Sequence, residues 1–129
     1  MQTQLVNAIT KDYAKALPSH LRNDFKELLS LMCAISPDAT FSIQLGMPLF
    51  ELKHEPLYGV TVRSGHLSLY IPESALLDNL SQKLRPAHIS ADSLFFDNLE
   101  EMNVNVIAEL LSRVKGNFIR KKQKESELQ

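Results

Sequence analysis

The sequence predicts an α+β domain: a single antiparallel β-sheet of about 4–5 strands, packed on one face by N- and C-terminal helices. Three observations predict it. Apolar residues recur at helical spacing from Leu21 to Ile35. They do so again from Val104 to Phe118. Between these stretches, from Thr40 to Ile71, the period changes to two. Helices, then a meander of strands, then helices is the order of an α+β chain rather than of an alternating α/β chain.

Residues 1–16 read as a weak helix with Leu5, Ile9 and Tyr13 on one face. Leu17-Pro18-Ser19 interrupts it, and Ser19 is placed to cap the next helix. That helix carries Leu21, Phe25, Leu28, Leu29, Met32 and Ile35 on one side, with Arg22, Asn23, Lys26 and Glu27 on the other. Ser36-Pro37-Asp38 ends it.

Phe41, Ile43 and Leu45 alternate with Ser42 and Gln44, the pattern of a half-buried strand. Gly46-Met47-Pro48 follows, then Phe50 and Leu52 alternating with Glu51 and Lys53. Glycine allows positive φ, and proline fixes φ and gives up a donor. The triplet therefore reads as a bend between strands, with Met47 also suited to one wall of a pocket. His54-Glu55-Pro56 reads as a turn. LYGVTVRSGHLSLYI then reads as a hairpin closed by the two-residue loop Ser64-Gly65. That loop pairs Arg63 with His66 and fixes the register. Val62 then faces Leu67, Val60 faces Leu69, and Tyr58 faces Ile71 on an apolar face. Thr61, Arg63, His66, Ser68 and Tyr70 share the polar face, with Gly59 opposite Tyr70.

Pro72-Glu73-Ser74 opens a helix with Leu76, Leu77, Leu80 and Leu84 inward. RPAHISADS reads as a loop and SLFF (93–96) as a last short strand. The final helix starts near Glu100 and carries Val104, Ile107, Leu110, Leu111, Val114 and Phe118 on one face. Gly116-Asn117 is a stop signal inside that pattern. The expected organisation is one domain over residues 1–119 and a polar C-terminal tail over 120–129.

At 129 residues the chain fits one domain, and 44% apolar with 22% charged residues is ordinary for a globular protein. A net charge of −1 supplies no field favouring nucleic acid or an anionic membrane. The basic run RKKQK (120–124) is followed by Glu125 and Glu127 and reads as a solvated face. With Cys33 alone, neither a disulfide within the chain nor a cysteine-based zinc knuckle can form. No apolar run has a membrane-spanning length, and the first residues lack the pattern of a secretory signal. A cytoplasmic protein is expected.

The order DYAKALP, an amphipathic helix, SPDATFSIQLGMPLF, HEPLYGVTV, HLSLYIP and LFF before a C-terminal helix resembles the YdhG-like family of small bacterial domains of unknown function. Its most specific pieces are Gly46, Met47, Pro48 and Phe50, and the strand carrying His66, Ser68 and Tyr70. The chain has Leu45 where members usually carry tyrosine, and SADSLFF where a lysine-glycine pair is common. One relative has been proposed to act like frataxin. The resemblance therefore implies iron as the cofactor or cargo, and an iron-handling role.

The residues themselves point first to the polar hairpin face. Arg63 offers a forked cation and His66 a switchable donor, beside Thr61, Ser68 and Tyr70. Such a row suits a small ligand or protein partner, or else forms the solvated side of an amphipathic sheet. A hard metal needs convergent oxygen or nitrogen ligands. His20, His54, His66 and His88 show no ligand spacing, and the acids are scattered, so metal ligands are not assigned. Cys33 lies in the apolar stretch LMCAI and reads as core. There is no nucleophile elbow, phosphate loop or dinucleotide fingerprint. The expectation is a non-catalytic binding protein, monomeric or homodimeric. Leu49 and Leu57 are the apolar residues that would support pairing.

Overall fold

The structure is a computed structural model that describes residues 11, 13–44 and 46–127. Leu5, Ile9 and Leu45 lie outside the described residues. Helix α1 (Ser19–Ile35) buries Leu21, Phe25, Leu28, Leu29 and Met32 of the stripe its spacing predicts, leaves Ile35 half-buried, and buries Cys33 beside them. The cap differs from the expectation: Pro18 takes the N-cap position, Ser19 is already helical, and no side chain caps the end. At the other end the Lys115 ammonium donates to the Ile35 carbonyl at 2.9 Å and to Asp38 at 2.7 Å. A cation there complements the partial negative charge of the helix C-terminus.

Six strands form one antiparallel sheet: β1 (Thr40–Gln44), β2 (Met47–Leu52), β3 (Glu55–Arg63), β4 (His66–Tyr70), β5 (His88–Ser90) and β6 (Ser93–Phe96), in the order β1-β2-β3-β4-β6-β5. The count exceeds the expected 4–5 because His88–Ser90, expected as loop, pairs with β6. The β3–β4 register is the expected one, from Arg63↔His66 to Gly59↔Tyr70. Ser64 and Gly65 have φ of 53° and 77°, the paired left-handed conformations of a tight hairpin turn. The expected turn at His54-Glu55-Pro56 moves earlier. Lys53 and His54 take positive φ, and Glu55 already pairs with Leu52.

In Gly46-Met47-Pro48 the bend is confined to Gly46, at φ 76°, while Met47 and Pro48 belong to β2. A two-residue loop makes Gln44↔Met47 the hydrogen-bonded pair and leaves Ile43↔Pro48 without ladder bonds. On its other side β2 pairs with β3 only from Leu49↔Gly59 onward. Proline therefore sits in β2 where neither neighbour asks it for an N–H.

The inner face packs against α1 and the C-terminal helix. Its first row is aromatic: Phe41 and Phe50 lie 5.1 Å apart and Phe50 and Tyr58 5.6 Å apart, ring to ring. Val60, Leu69 and Leu94 form the next row, all fully buried. Helix α2 is short (Ala75–Asn79), yet Leu76, Leu77, Leu80 and Leu84 all point inward as expected. A 3₁₀ turn (Leu99–Glu101) follows, its first N–H held by Asp24 of α1 at 2.9 Å.

Helix α3 (Val104–Glu127) buries Ile107, Leu110, Leu111 and Val114. Val104, expected on that face, is the first helical residue and is exposed. The expected stop at Gly116-Asn117 is not taken. An interior glycine costs a helix about 1 kcal/mol, and tertiary contacts beyond it oppose that cost. Lys121 pairs with Glu73, and Lys122 pairs with Glu55 of β3.

Candidate functional site

Alternation along the strands sends every second side chain to the sheet's outer face. Register then assembles these side chains into rows. Leu49, Gly59, Tyr70 and Ser93 lie in one row across β2, β3, β4 and β6. Thr61, Ser68, Phe95 and His88 lie in the next, across β3, β4, β6 and β5. Arg63 and His66 close the third at the hairpin end.

This face is hollowed rather than flat. A cavity of about 410 Å³ is lined by Met47, Thr61, Arg63, Ser68 and Tyr70, among others. An adjoining cavity of about 380 Å³ is lined by Arg63, His66 and Ser68 and reaches Phe95. The structure thus brings all six of the predicted site residues to two neighbouring hollows. Their volumes fall within the few hundred Å³ typical of small-ligand sites. Gly46, Pro48 and Phe50 are structural. Gly46 turns the chain, Pro48 is buried in β2, and Phe50 lies wholly in the core.

Gly59 lets β2 come close to β3. A β-carbon there would stand 2.8 Å from the Pro48 carbonyl oxygen, 3.2 Å from the Met47 sulfur and 3.3 Å from Leu49 Cδ1. The nearest atoms above it thus belong to β2. Thr61 and Ser68 are only 7% and 8% exposed. The Thr61 hydroxyl shares a 2.7 Å hydrogen bond with the hydroxyl of Tyr13, whose ring stacks on Phe25 of α1 at 5.3 Å. Tyr13 therefore ties the β3 wall of the cavity to the helical layer.

The charges are unevenly satisfied. Arg63 is exposed and makes no ion pair or hydrogen bond through its side chain among the described residues. Asp92, from the β5–β6 turn, lines both cavities. Burial, then the negative charge of Asp92, pushes the Tyr70 hydroxyl pKa above its ordinary value. His66 is engaged elsewhere: its Nδ1 lies 2.6 Å from an Asp97 carboxylate oxygen, so it borders the site rather than centring it.

Sequence reasoning missed Asp92, Ser93 and Phe95. They sit in and after the segment read as a loop, and the signal was Ile89 and Leu94 flanking the two-residue Ala91-Asp92 turn. Ala91 takes φ 53°, a conformation alanine does not advertise.

A further hollow, about 480 Å³, lies elsewhere, by Pro72, Phe118 and the end of α3. Its charged walls already satisfy one another: Lys121 holds Glu73, and Lys122 holds Glu55 and Glu125. Among the described residues no three His, Cys, Asp or Glu side chains are placed to hold a metal ion. Cys33 is buried, and burial pushes its thiol pKa up, as befits a core residue. Leu49 and Leu57 are buried, at 6% and 1% exposed. Among the described residues no helix is long and apolar enough to cross a membrane.

No protein-family profile matches the chain, and no curated protein does. Among solved structures it is similar to the crystal structure of a protein from the DUF1801 family, YdhG of Bacillus subtilis. The TM-score is 0.69 at 14% identity, over 90% of this chain and 93% of that one. The two chains share a fold, and it is the fold of the group that the sequence motifs resemble.

Proposed function

We propose that this chain is a binding protein that holds a small organic carboxylate on the outer face of its sheet, without acting on it chemically. One observation supports the reading above others. Arg63, unpaired among the described residues, borders a cavity of about 410 Å³ whose other walls offer the hydroxyls of Thr61, Ser68 and Tyr70. A guanidinium presents two parallel N–H donors to a carboxylate, and hydroxyls complete the acceptor's remaining bonds. Met47 and Leu49 give the ligand's carbon atoms an apolar wall. The family resemblance also implies an iron role; the organic anion is preferred because this cavity supplies hydroxyls and a cation that is free among the described residues.

Calorimetric titration with acetate, succinate and hexanoate tests the reading. At least one should bind, and Arg63→Ala should weaken it about tenfold or more, equivalent to about 1.4 kcal/mol. Arg63→Lys should recover part of the affinity, because it keeps the charge and loses the fork. The urea midpoint should stay unchanged, since Arg63 is exposed. Binding indifferent to Arg63, or no binding of any carboxylate, contradicts the proposal.

A further inference from the structure

Arg63 is not the only unsatisfied charge facing this space. Asp92 lines the same two cavities, and among the described residues its carboxylate makes no hydrogen bond or ion pair either. The two charges do not meet: no nitrogen–oxygen approach within 4.0 Å joins them. Elsewhere on this molecule opposite charges do find each other, as Lys115 with Asp38, Lys121 with Glu73 and Lys122 with Glu55. A cation and an anion held apart across one hollow leave room for a ligand that carries both complementary charges.

The backbone fixes their separation. Arg63 stands opposite His66 at the start of β4, whereas Asp92 stands just before Ser93, opposite Tyr70 at its end. The Asp92 carbonyl accepts the Ile71 N–H at 2.7 Å, which pins its turn to the end of β4. Five residues of strand separate the level of His66 from that of Ile71, roughly 16 Å along the strands at the usual rise. The arginine stem spans part of that distance. The remainder exceeds the spacing of an amino and a carboxyl group on one carbon. Between the two charges lie the hydroxyls of Ser68 and Ser93, which suit polar groups in the middle of the ligand.

Resting on the carboxylate reading above, we infer that the ligand is a short peptide with free ends. Its C-terminal carboxylate sits on Arg63, its N-terminal ammonium on Asp92, and its amide groups against the Ser68 and Ser93 hydroxyls. Capture of peptide termini by charged and polar groups is an established recognition mode. The hydroxyl-bearing side chains specify the amide rather than a side chain, so the site reads the ends and the length.

Triglycine, N-acetyl-triglycine and triglycinamide test this, titrated by calorimetry into the full chain. The acetyl form lacks the ammonium and the amide form lacks the carboxylate. Triglycine should bind about tenfold or more tightly than either. Asp92→Asn, which keeps the shape and the backbone bond of the turn, should bring triglycine level with N-acetyl-triglycine. Arg63→Ala should bring it level with triglycinamide. Equal binding of triglycine and N-acetyl-triglycine to the unaltered protein overturns the peptide inference. If that equal binding still depends on Arg63, the carboxylate reading stands. An advantage of triglycine that survives Asp92→Asn, or no binding of triglycine at all, also overturns the inference. If the simple carboxylates bind indifferently to Arg63 as well, the carboxylate reading falls with it.

Discussion

Tyr58 is fully buried in the first row of the inner face, beside Phe50. It donates to the Met32 carbonyl at 3.1 Å and shares a 2.7 Å bond with the Ser36 hydroxyl, which is also fully buried. Strand β3 is thereby stitched to the last turn of α1. Burial pushes the Tyr58 hydroxyl pKa from 10.0 up to about 12. Above pH 10 the unfolded chain has lost this proton while the folded chain still holds it. The unfolded state then binds fewer protons, so stability falls as pH rises. The contribution is complete below pH 10 and drains away toward pH 12, by about 2–3 kcal/mol in all. Tyr58→Phe removes that pH dependence and costs about 1 kcal/mol at neutral pH. Urea unfolding of both proteins at pH 7, 9 and 11 checks it: the gap between them should narrow or reverse at pH 11. A gap constant across that range contradicts the argument.

At the scale of elements, the close approach of β2 to β3 depends on Gly59. A methyl group there meets the Pro48 carbonyl oxygen at 2.8 Å, and a backbone atom cannot step aside as the end of a flexible side chain can. Gly59→Ala should therefore cost about 1–3 kcal/mol, read as a lowered urea midpoint. An unchanged midpoint would mean that the β1–β2 hairpin floats on the sheet. The β3–β4 hairpin was legible in the sequence because Ser64-Gly65 permits a single tight register, and that register assigned every outer-face residue from Gly59 to Tyr70. The β5–β6 hairpin was not legible. Its first strand is three residues long, with one apolar residue, Ile89, and no glycine in its turn. Helix α3 outran its stop signal for a third reason. Lys121, Lys122 and the half-buried Phe118 hold the last turns against Glu73, Glu55 and the rest of the domain, and these contacts are long-range. Local propensity does not register them.

Over the whole molecule, the two faces of the sheet divide the work. The inner face and helices α1, α2 and α3 make the core, which the hydrophobic period alone located. The outer face carries the hollow, where the sequence placed Met47, Thr61, Arg63, Ser68 and Tyr70 together and left out the residues supplied by β6 and its turn. That omission matters for the proposal, because Asp92 adds a second charge to the hollow. The competing hollow beside α3 has its charges already paired and makes no comparable demand for a ligand. The most direct test of this division is a two-dimensional amide NMR titration of the full chain with triglycine. The shifts should concentrate at Thr61, Arg63, Ser68, Tyr70, Asp92 and Ser93, and leave Phe118, Lys121 and Lys122 still. Shifts gathered instead around the end of α3, or none anywhere, would contradict the assignment of the outer sheet face as the binding site.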